Sequence, residues 1–359
     1  MTHPIKRGLT ALLLAASILP VLSVLSATPA RAADGSQARL ELQDQMAALV
    51  RAGRFAEIVA RSEIDLAQGT RLPDGSWRGY ETFIAFEQPL YRLPVEDPLW
   101  GTLLPALRER SEARAGDVFL YVQALHARAW NVRGAGYSRT VSGQQQLSFR
   151  ALMELARDAL DRHRATLSDS PMWWAQRTTV ANELGEGPKR LQALFEEGVR
   201  RFPDFHPIYL TRVRALTPKW GGSEDAMLDL LDTIAAMPEP AMKEGLYARA
   251  TWVAENEGVP LFVDPRFKKD VWLASSAALV RQWPDTRNRR RHFLTACALS
   301  EKALAQSELP ALDEPVLDKD LARSGQLPLL ERCGRWARGS DGFLMGLQYR
   351  GKEQDLYIE

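Results

Sequence analysis

"SPMWWAQRTTVANELGEGPKRLQALFEEGVRRFP", Ser170–Pro203, holds the pattern on which the fold turns. Ser170-Pro171 reads as an N-cap with Pro at the first helical position, where its missing N–H costs nothing. Trp173, Trp174 and Val180 carry this helix to a stop at Gly185. "KRLQALFEEGVRRF" then forms a second helix, ended by Pro203. The cycle restarts at Pro207 with Tyr209 and Val213 and turns at Gly221-Gly222. From there it runs through Met227, Leu230, Leu231 and Ile234 to Pro238. A third start near Pro240 holds Tyr247 and Trp252 and turns at Gly258. The intervals are 36 residues from Pro171 to Pro207, 36 from Gly185 to Gly221 and 37 from Gly221 to Gly258.

A period in the mid-thirties, with an aromatic in the first helix, Gly at the turn and Pro after the second, marks tetratricopeptide-like helical hairpins. The expected fold class is therefore all-α, an α-α superhelix (α-solenoid) of such hairpins. Composition agrees: 45% hydrophobic and 25% charged residues suit a soluble chain with a sizeable core, and Val and Ile are sparse beside Ala, Leu, Arg and Glu. Residues 33–92 read as an N-terminal hairpin and a turn-rich segment. Leu42, Met46 and Leu49 form one stripe, Phe55, Ile58, Val59 and Leu66 the other, with the turn at Ala52-Gly53. "LPDGSWRGY" is a tight turn, followed by an irregular stretch with Pro89, Pro94 and Pro98. The helical-repeat core is expected over 93–265, including the apolar helix "VFLYVQALHARAW". A C-terminal helical region over 266–359, continuous with the core, is broken by a surface loop from Ser307 to Asp320.

Lys6 and Arg7, the apolar run Leu9–Leu25 and the small residues of Ala30-Arg31-Ala32 form the pattern of a signal peptide over 1–32, cut after Ala32. The expected location is periplasmic or secreted, with no membrane span after cleavage. Cleavage removes Lys6, Arg7 and Arg31 and no acid, so 43 basic residues stand against 45 acidic ones. Such a nearly neutral chain argues against nucleic acid as a partner. Cys297 and Cys333 are the two cysteines. In an exported protein they can form a disulfide worth roughly 3–4 kcal/mol in the chain-entropy picture, or stay reduced, Cys297 on an apolar helical face.

Catalytic signatures are missing from the sequence. It has no H-E-x-x-H, G-x-S-x-G, phosphate-binding loop or Cys-x-x-Cys, so no catalytic residue and no cofactor is assigned. No two histidines stand three or four apart, so no metal site is assigned either. Glu183 and Glu186 are separated by the helix stop at Gly185, which gives them no shared face. Candidate ligand or partner contacts come from three places. "HARAWNVRGAGYSRTVS" gathers His126, Trp130, Arg133, Tyr137 and Arg139 where a helix gives way to a glycine loop. The alternative there is a capped helix end with Trp130 packed beneath and His126 a core residue. "RNRRRH" sets Arg287 and Arg290 at a helix start, against the macrodipole, which suits an anion or acidic partner or a face paired with neighbouring acids. "LTPKWGGSEDAM" holds Lys219 and Trp220 in an elbow: Pro218 ends one helix, Trp220 plugs the gap, and Ser223 caps the next.

The segments "HARAWNVRGAGYSRTVS", "SDSPMWWAQRTTVA", "FEEGVRRFPDFHPIYL" and "LTPKWGGSEDAM" resemble, in that order, the motifs of the bacterial domain of unknown function 4034. "QWPDTRNRRRHFLTACALSEKALA" is similar to a later segment of that family, with Trp283 where the family has Tyr and a heavier arginine run. The resemblance spans roughly Leu40 to Ala305 and implies an exported, tetratricopeptide-like helical protein, with no catalytic residues to carry over. Together these features point to a non-catalytic scaffold for a protein or cell-envelope partner. The competing readings are an envelope hydrolase and a small-ligand binder using the 126–139 loop. Sequence alone leaves the oligomeric state open.

Overall fold

A computed structural model describes residues 35–134, 136, 140–238, 244–312 and 327–339. The expected signal peptide, the third start at Pro240, and Tyr137 and Arg139 lie outside the described residues. The described chain is all-α, and beyond an isolated bridge between Arg71 and Trp77 it contains no strand pairing. Its helices are α1 (Gly35–Arg51), α2 (Phe55–Gln68), α3 (Arg78–Glu87), α4 (Leu99–Ala113), α5 (Val118–Arg133) and α6 (Gly143–Arg162). There follow α7 (Arg164–Leu167), α8 (Pro171–Glu183), α9 (Pro188–Arg201), α10 (His206–Leu216), α11 (Glu224–Ala235) and α12 (Leu246–Asn256). The last four are α13 (Lys269–Gln282), α14 (Thr286–Ala298), α15 (Lys302–Leu312) and α16 (Leu327–Ala337). None is long and apolar enough to cross a membrane.

The mid-chain period reappears as the hairpins α8–α9 and α10–α11, with α12 opening the next unit. Helices α3, α5, α8, α10 and α12 touch in succession, while α6, α9 and α11 pack against members of that row. The arrangement is compatible with a superhelix of hairpins. At the α10–α11 turn, Gly221 takes φ +87°, and a Cβ on Gly222 would stand 2.1 Å from the Leu216 carbonyl oxygen. Only glycine can sit at either place without moving the backbone. Ser223 Oγ then accepts from Ala226 N and caps α11.

Three segments depart from the sequence expectation. Helix α3 lies where the Pro-rich context suggested irregular chain. Phe83 and Phe86 are buried there, and Gly79 lets the helix approach α2 so closely that a Cβ would meet the Ser62 carbonyl at 2.7 Å. Helix α6 follows the glycine loop and is fixed by a reciprocal Ser142–Gln145 capping box. Helix α15 continues through Pro310 to Leu312, so 307–312 are helical where a loop was expected; 313–320 lie outside the described residues.

The "LPDGSW" turn is driven into the body of the protein. Asp74 is buried and receives Arg39 Nη2 at 2.8 Å and Arg287 Nη1 at 3.3 Å. Its carbonyl accepts from Arg249 Nη2 at 2.6 Å and Asn288 Nδ2 at 3.1 Å. Asp285 caps α14 through Arg287 N and Asn288 N and also accepts from Gly35 N. The start of α1 and the start of α14 are thereby tied to one turn. Burial alone would raise the Asp74 pKa, but Arg39, Arg287 and Arg249 together hold its carboxyl far below the usual range. Farther along, Cys297 and Cys333 form a disulfide between α14 and α16, with Cα atoms 5.9 Å apart. It pins a small second core that includes Phe293 and Trp336.

Asp74→Asn leaves three guanidinium groups facing one another and is expected to lower stability by about 3 kcal/mol, read from urea unfolding midpoints. The pH dependence has a definite sign. A depressed folded pKa gives stability that is present above the unfolded value of about 4 and lost as the pH falls below it. The acid limb of the wild-type stability curve should therefore be steeper than that of the variant. Parallel limbs would show that Asp74 carries no such charge coupling.

Candidate functional site

The row α3, α5, α8, α10, α12 brings one polar side chain from or directly after each helix to a common region. Glu87 is the last residue of α3, Glu183 the last of α8, and Glu257 follows α12 directly. His126 comes from α5 and Arg214 from the last turn of α10. Along the row the charges alternate: carboxylate, imidazole, carboxylate, guanidinium, carboxylate.

His126 is the centre. Its Nδ1 donates to Glu87 Oε1 at 2.5 Å, and its Nε2 donates to Glu183 Oε1 at 2.9 Å. With hydrogen on both ring nitrogens each carboxylate accepts from the ring and the imidazole is a cation; Trp130 Nε1 also stands 3.2 Å from Nε2, and the Tyr91 hydroxyl 2.8 Å from Nδ1. Burial opposes that charge, but the attraction of Glu183 and Glu87 and their hydrogen bonds outweighs it. The His126 pKa is pushed up to about 10. Tyr91, in the turn after α3, donates its hydroxyl to Glu87 Oε1 at 2.8 Å. Burial first, then the Glu87 charge, holds that phenol well above its ordinary pKa. With its amide oriented to suit its neighbours, Gln123 donates to both Glu87 oxygens at 3.1 Å and accepts from Gln176 at 3.2 Å. Trp130 Nε1 donates to Glu183 Oε1 at 3.1 Å.

One oxygen stands out in this network. Glu183 Oε1 accepts from both His126 and Trp130, yet the buried Oε2 has no hydrogen-bond partner among the described residues. Glu183 also lines a narrow cleft with Thr179, Asn182, Thr211, Arg214, Ala215 and Trp220. The cleft encloses about 250 Å³ of empty space, part of it open to solvent. Within it there is room for about one water-sized group.

Trp220 is half-buried and walls this cleft; it does not plug the gap between α10 and α11 as the elbow reading expects. Its ring meets the edge of Trp130 at 5.7 Å, lies 4.3 Å beneath the Arg214 guanidinium, and donates through Nε1 to Glu257 Oε2 at 2.7 Å. Lys219 Nζ stands 3.3 Å from the same carboxylate, and Arg214 Nε 3.1 Å from its other oxygen. The turn keeps its capping role through Ser223, while Trp220 lines the cleft.

Of the sequence candidates, His126, Trp130, Lys219 and Trp220 come together here. Arg133 lies over the Trp130 ring at 4.8 Å and donates to the carbonyls of Gly134 and Gly136, which closes the end of α5. Arg287 belongs to the Asp74 centre, and Arg290 is buried on the same helix, α14. The "RNRRRH" start is thus turned into the protein, and its unfavourable helix position is offset by the Asp285 cap and by Asp74. Sequence reasoning missed Glu87, Tyr91, Arg214 and Glu257, and set Glu183 aside when it was weighed with Glu186. A carboxylate set among Phe83, Phe86 and Leu90 in "FIAFEQPLY" is a readable signal for Glu87. Among the described residues, no His, Cys, Asp and Glu group is arranged to hold a metal ion. No family model, no curated protein and no solved structure matches the chain.

Folding stabilises the His126 cation, so its contribution is fully present below the unfolded pKa of about 6.5 and lost as the pH rises towards about 10. Imidazole ¹⁵N spectra at pH 8 should show both His126 nitrogens protonated. Finding a single neutral tautomer at that pH would overturn the assignment.

Proposed function

We propose that the protein is an exported binding protein whose recognition site is the Glu183–Trp220 cleft, and that it is not an enzyme. The carrying observation is that both nitrogens of His126 are engaged by carboxylates, 2.5 Å from Glu87 and 2.9 Å from Glu183. A cationic imidazole with both N–H groups committed has no lone pair to take a proton near neutral pH. Tyr91 is held too weakly acidic to give one up. The acceptor left over is Glu183 Oε2, buried and without a hydrogen-bond partner among the described residues, on a side chain that lines the cleft.

Two further features support this reading. The Cys297–Cys333 disulfide suits an oxidising compartment outside the cytoplasm. Segments that carry the resemblance to domain 4034 supply His126, Trp130, Thr179 and Trp220, so they converge on the cleft. The partner class is a protein or cell-envelope component that presents a hydrogen-bond donor to Glu183. A broad concave face is a poorer candidate, because the protein's own "LPDGSW" turn is buried around Asp74, with Trp77 tilted against Phe205 at 5.1 Å.

Immobilised wild-type protein should retain a component of envelope extracts that Glu183→Gln and Trp220→Ala both lose. Trp220 is half-buried, so its removal should cost about 2 kcal/mol, roughly half the loss of a core Trp, and leave the fold intact. Equal recovery by all three proteins would rule out the cleft as the binding site.

A further inference from the structure

Three observations bear on what the cleft recognises. The first is the layout of charge. Behind the cleft wall, two carboxylates, Glu87 and Glu183, face one imidazolium, His126, so this triad by itself is net negative, and Glu183 Oε2 has no partner among the described residues. The Glu183 side chain is 4% exposed, so that charge is not dissipated by water. At the mouth the balance is reversed. Arg214 and Lys219 share the single carboxylate of Glu257, at 3.1 and 3.3 Å. Their side chains are 46% and 54% exposed, so both are free to turn towards an incoming group.

The second observation is helix direction. The cleft is lined by Thr179, Asn182 and Glu183 from the end of α8 and by Thr211, Arg214 and Ala215 from the end of α10. Carbonyl groups at helix C-termini carry partial negative charge and favour a cation nearby. The third is size and lining. The cleft admits a group about as large as a water molecule, and Trp220 lines it with an aromatic ring. A primary ammonium group has that size, donates hydrogen bonds to a carboxylate, and is favoured beside an aromatic ring.

From these we infer that the cleft binds a zwitterion: an ammonium group enters to Glu183, and an anionic group on the same molecule is held at the mouth by Arg214 and Lys219. Amino acids and molecules ending in an amino-acid unit are the chemical class that satisfies both ends. This inference rests on the cleft being the recognition site and adds the identity of the ligand to it. Arg214 has two roles in it. Without ligand it covers Trp220 and pairs with Glu257; with ligand it turns its guanidinium to the anionic group, where planar paired donors suit a carboxylate.

The test is calorimetric titration of the full chain at low salt with glycine, β-alanine, 4-aminobutanoate and 5-aminopentanoate, beside methylamine and acetate. The series varies the distance between the two charges and so reads the spacing of the site. At least one amino acid should bind roughly tenfold more tightly than methylamine, as an added charge-assisted contact warrants. Acetate should bind most weakly. Arg214→Gln, a change at an exposed side chain, should remove the tenfold gain of the amino acid over methylamine. Glu183→Gln should remove methylamine binding. If methylamine matches the best amino acid, the cleft holds ammonium alone and the zwitterion proposal fails. If acetate matches it, the mouth alone binds and the proposal fails as well. If no probe binds while an envelope component is still retained in a Glu183-dependent way, recognition at the cleft stands and the zwitterion is wrong.

Discussion

A buried imidazolium between two carboxylates is the constraint around which this helical body is arranged. Transferring His126 out of water as a cation is costly unless opposite charges meet it at hydrogen-bond distance. Those charges come from α3 and α8, whereas His126 comes from α5, so the three helices are held at one relative depth. A shift of any of them by part of a turn would leave a charge uncompensated in the interior. Tyr91 and Gln123 saturate Glu87, and Trp130 helps to saturate Glu183, so most of the network's capacity is used. Apolar contacts between helices tolerate sliding far better than such a network does, and the ion triad therefore sets the register that the Leu and Ala surfaces leave loose.

The Asp74 centre does a comparable task between segments distant in sequence. Its side chain and carbonyl join α1, α12 and α14 through Arg39, Arg249, Arg287 and Asn288. A helical-hairpin array contacts mainly its nearest neighbours, so its ends have no reason to meet. Here the N-terminal turn supplies that reason, and it fills space that an open array would present to a partner. The two polar centres therefore divide the molecule. One is saturated by at least three guanidinium groups and serves the fold; the other keeps an unmatched oxygen beside a cleft.

The fold was largely readable because the helical period is a local property. Gly185, Gly221 and Gly258 take positive φ in the structure, and each marks a turn that the 36- and 37-residue spacing locates. Helix α3 was hidden for a local reason too: Gly79, Tyr80 and Thr82 are poor helix formers, and only packing against α2 and α5 overrides their propensity. The site was only half legible. His126, Trp130, Lys219 and Trp220 lie beside aromatic or glycine signals, whereas Glu87, Glu183 and Glu257 resemble any surface carboxylate at a helix end. What distinguishes them is burial and the partner opposite, a property of the assembled row that no spacing along the chain encodes. The arginine run illustrates the converse, since a dense charge cluster was visible in sequence while one acid that absorbs it, Asp74, stands 213 residues from Arg287.

The hairpin repeat also explains why an open site arises at this edge. Helices α3, α5, α8, α10 and α12 run side by side, and the polar residues come from or near the C-terminal ends of four of them, with His126 and Trp130 in the later half of α5. Aligned C-termini concentrate partial negative charge along one edge, and the chain answers with His126, Arg214 and Lys219. His126 is fixed by two carboxylates, but Arg214 and Lys219 share one and remain about half exposed. The row is thus balanced tightly at the α3–α5–α8 end and loosely at the α10–α12 end. A ligand that exchanges charge with the loose end gains hydrogen bonds without breaking the triad that sets the helix register. On the proposed reading, recognition and architecture use the same alternating charges, and the loose end can rearrange without loss of the triad.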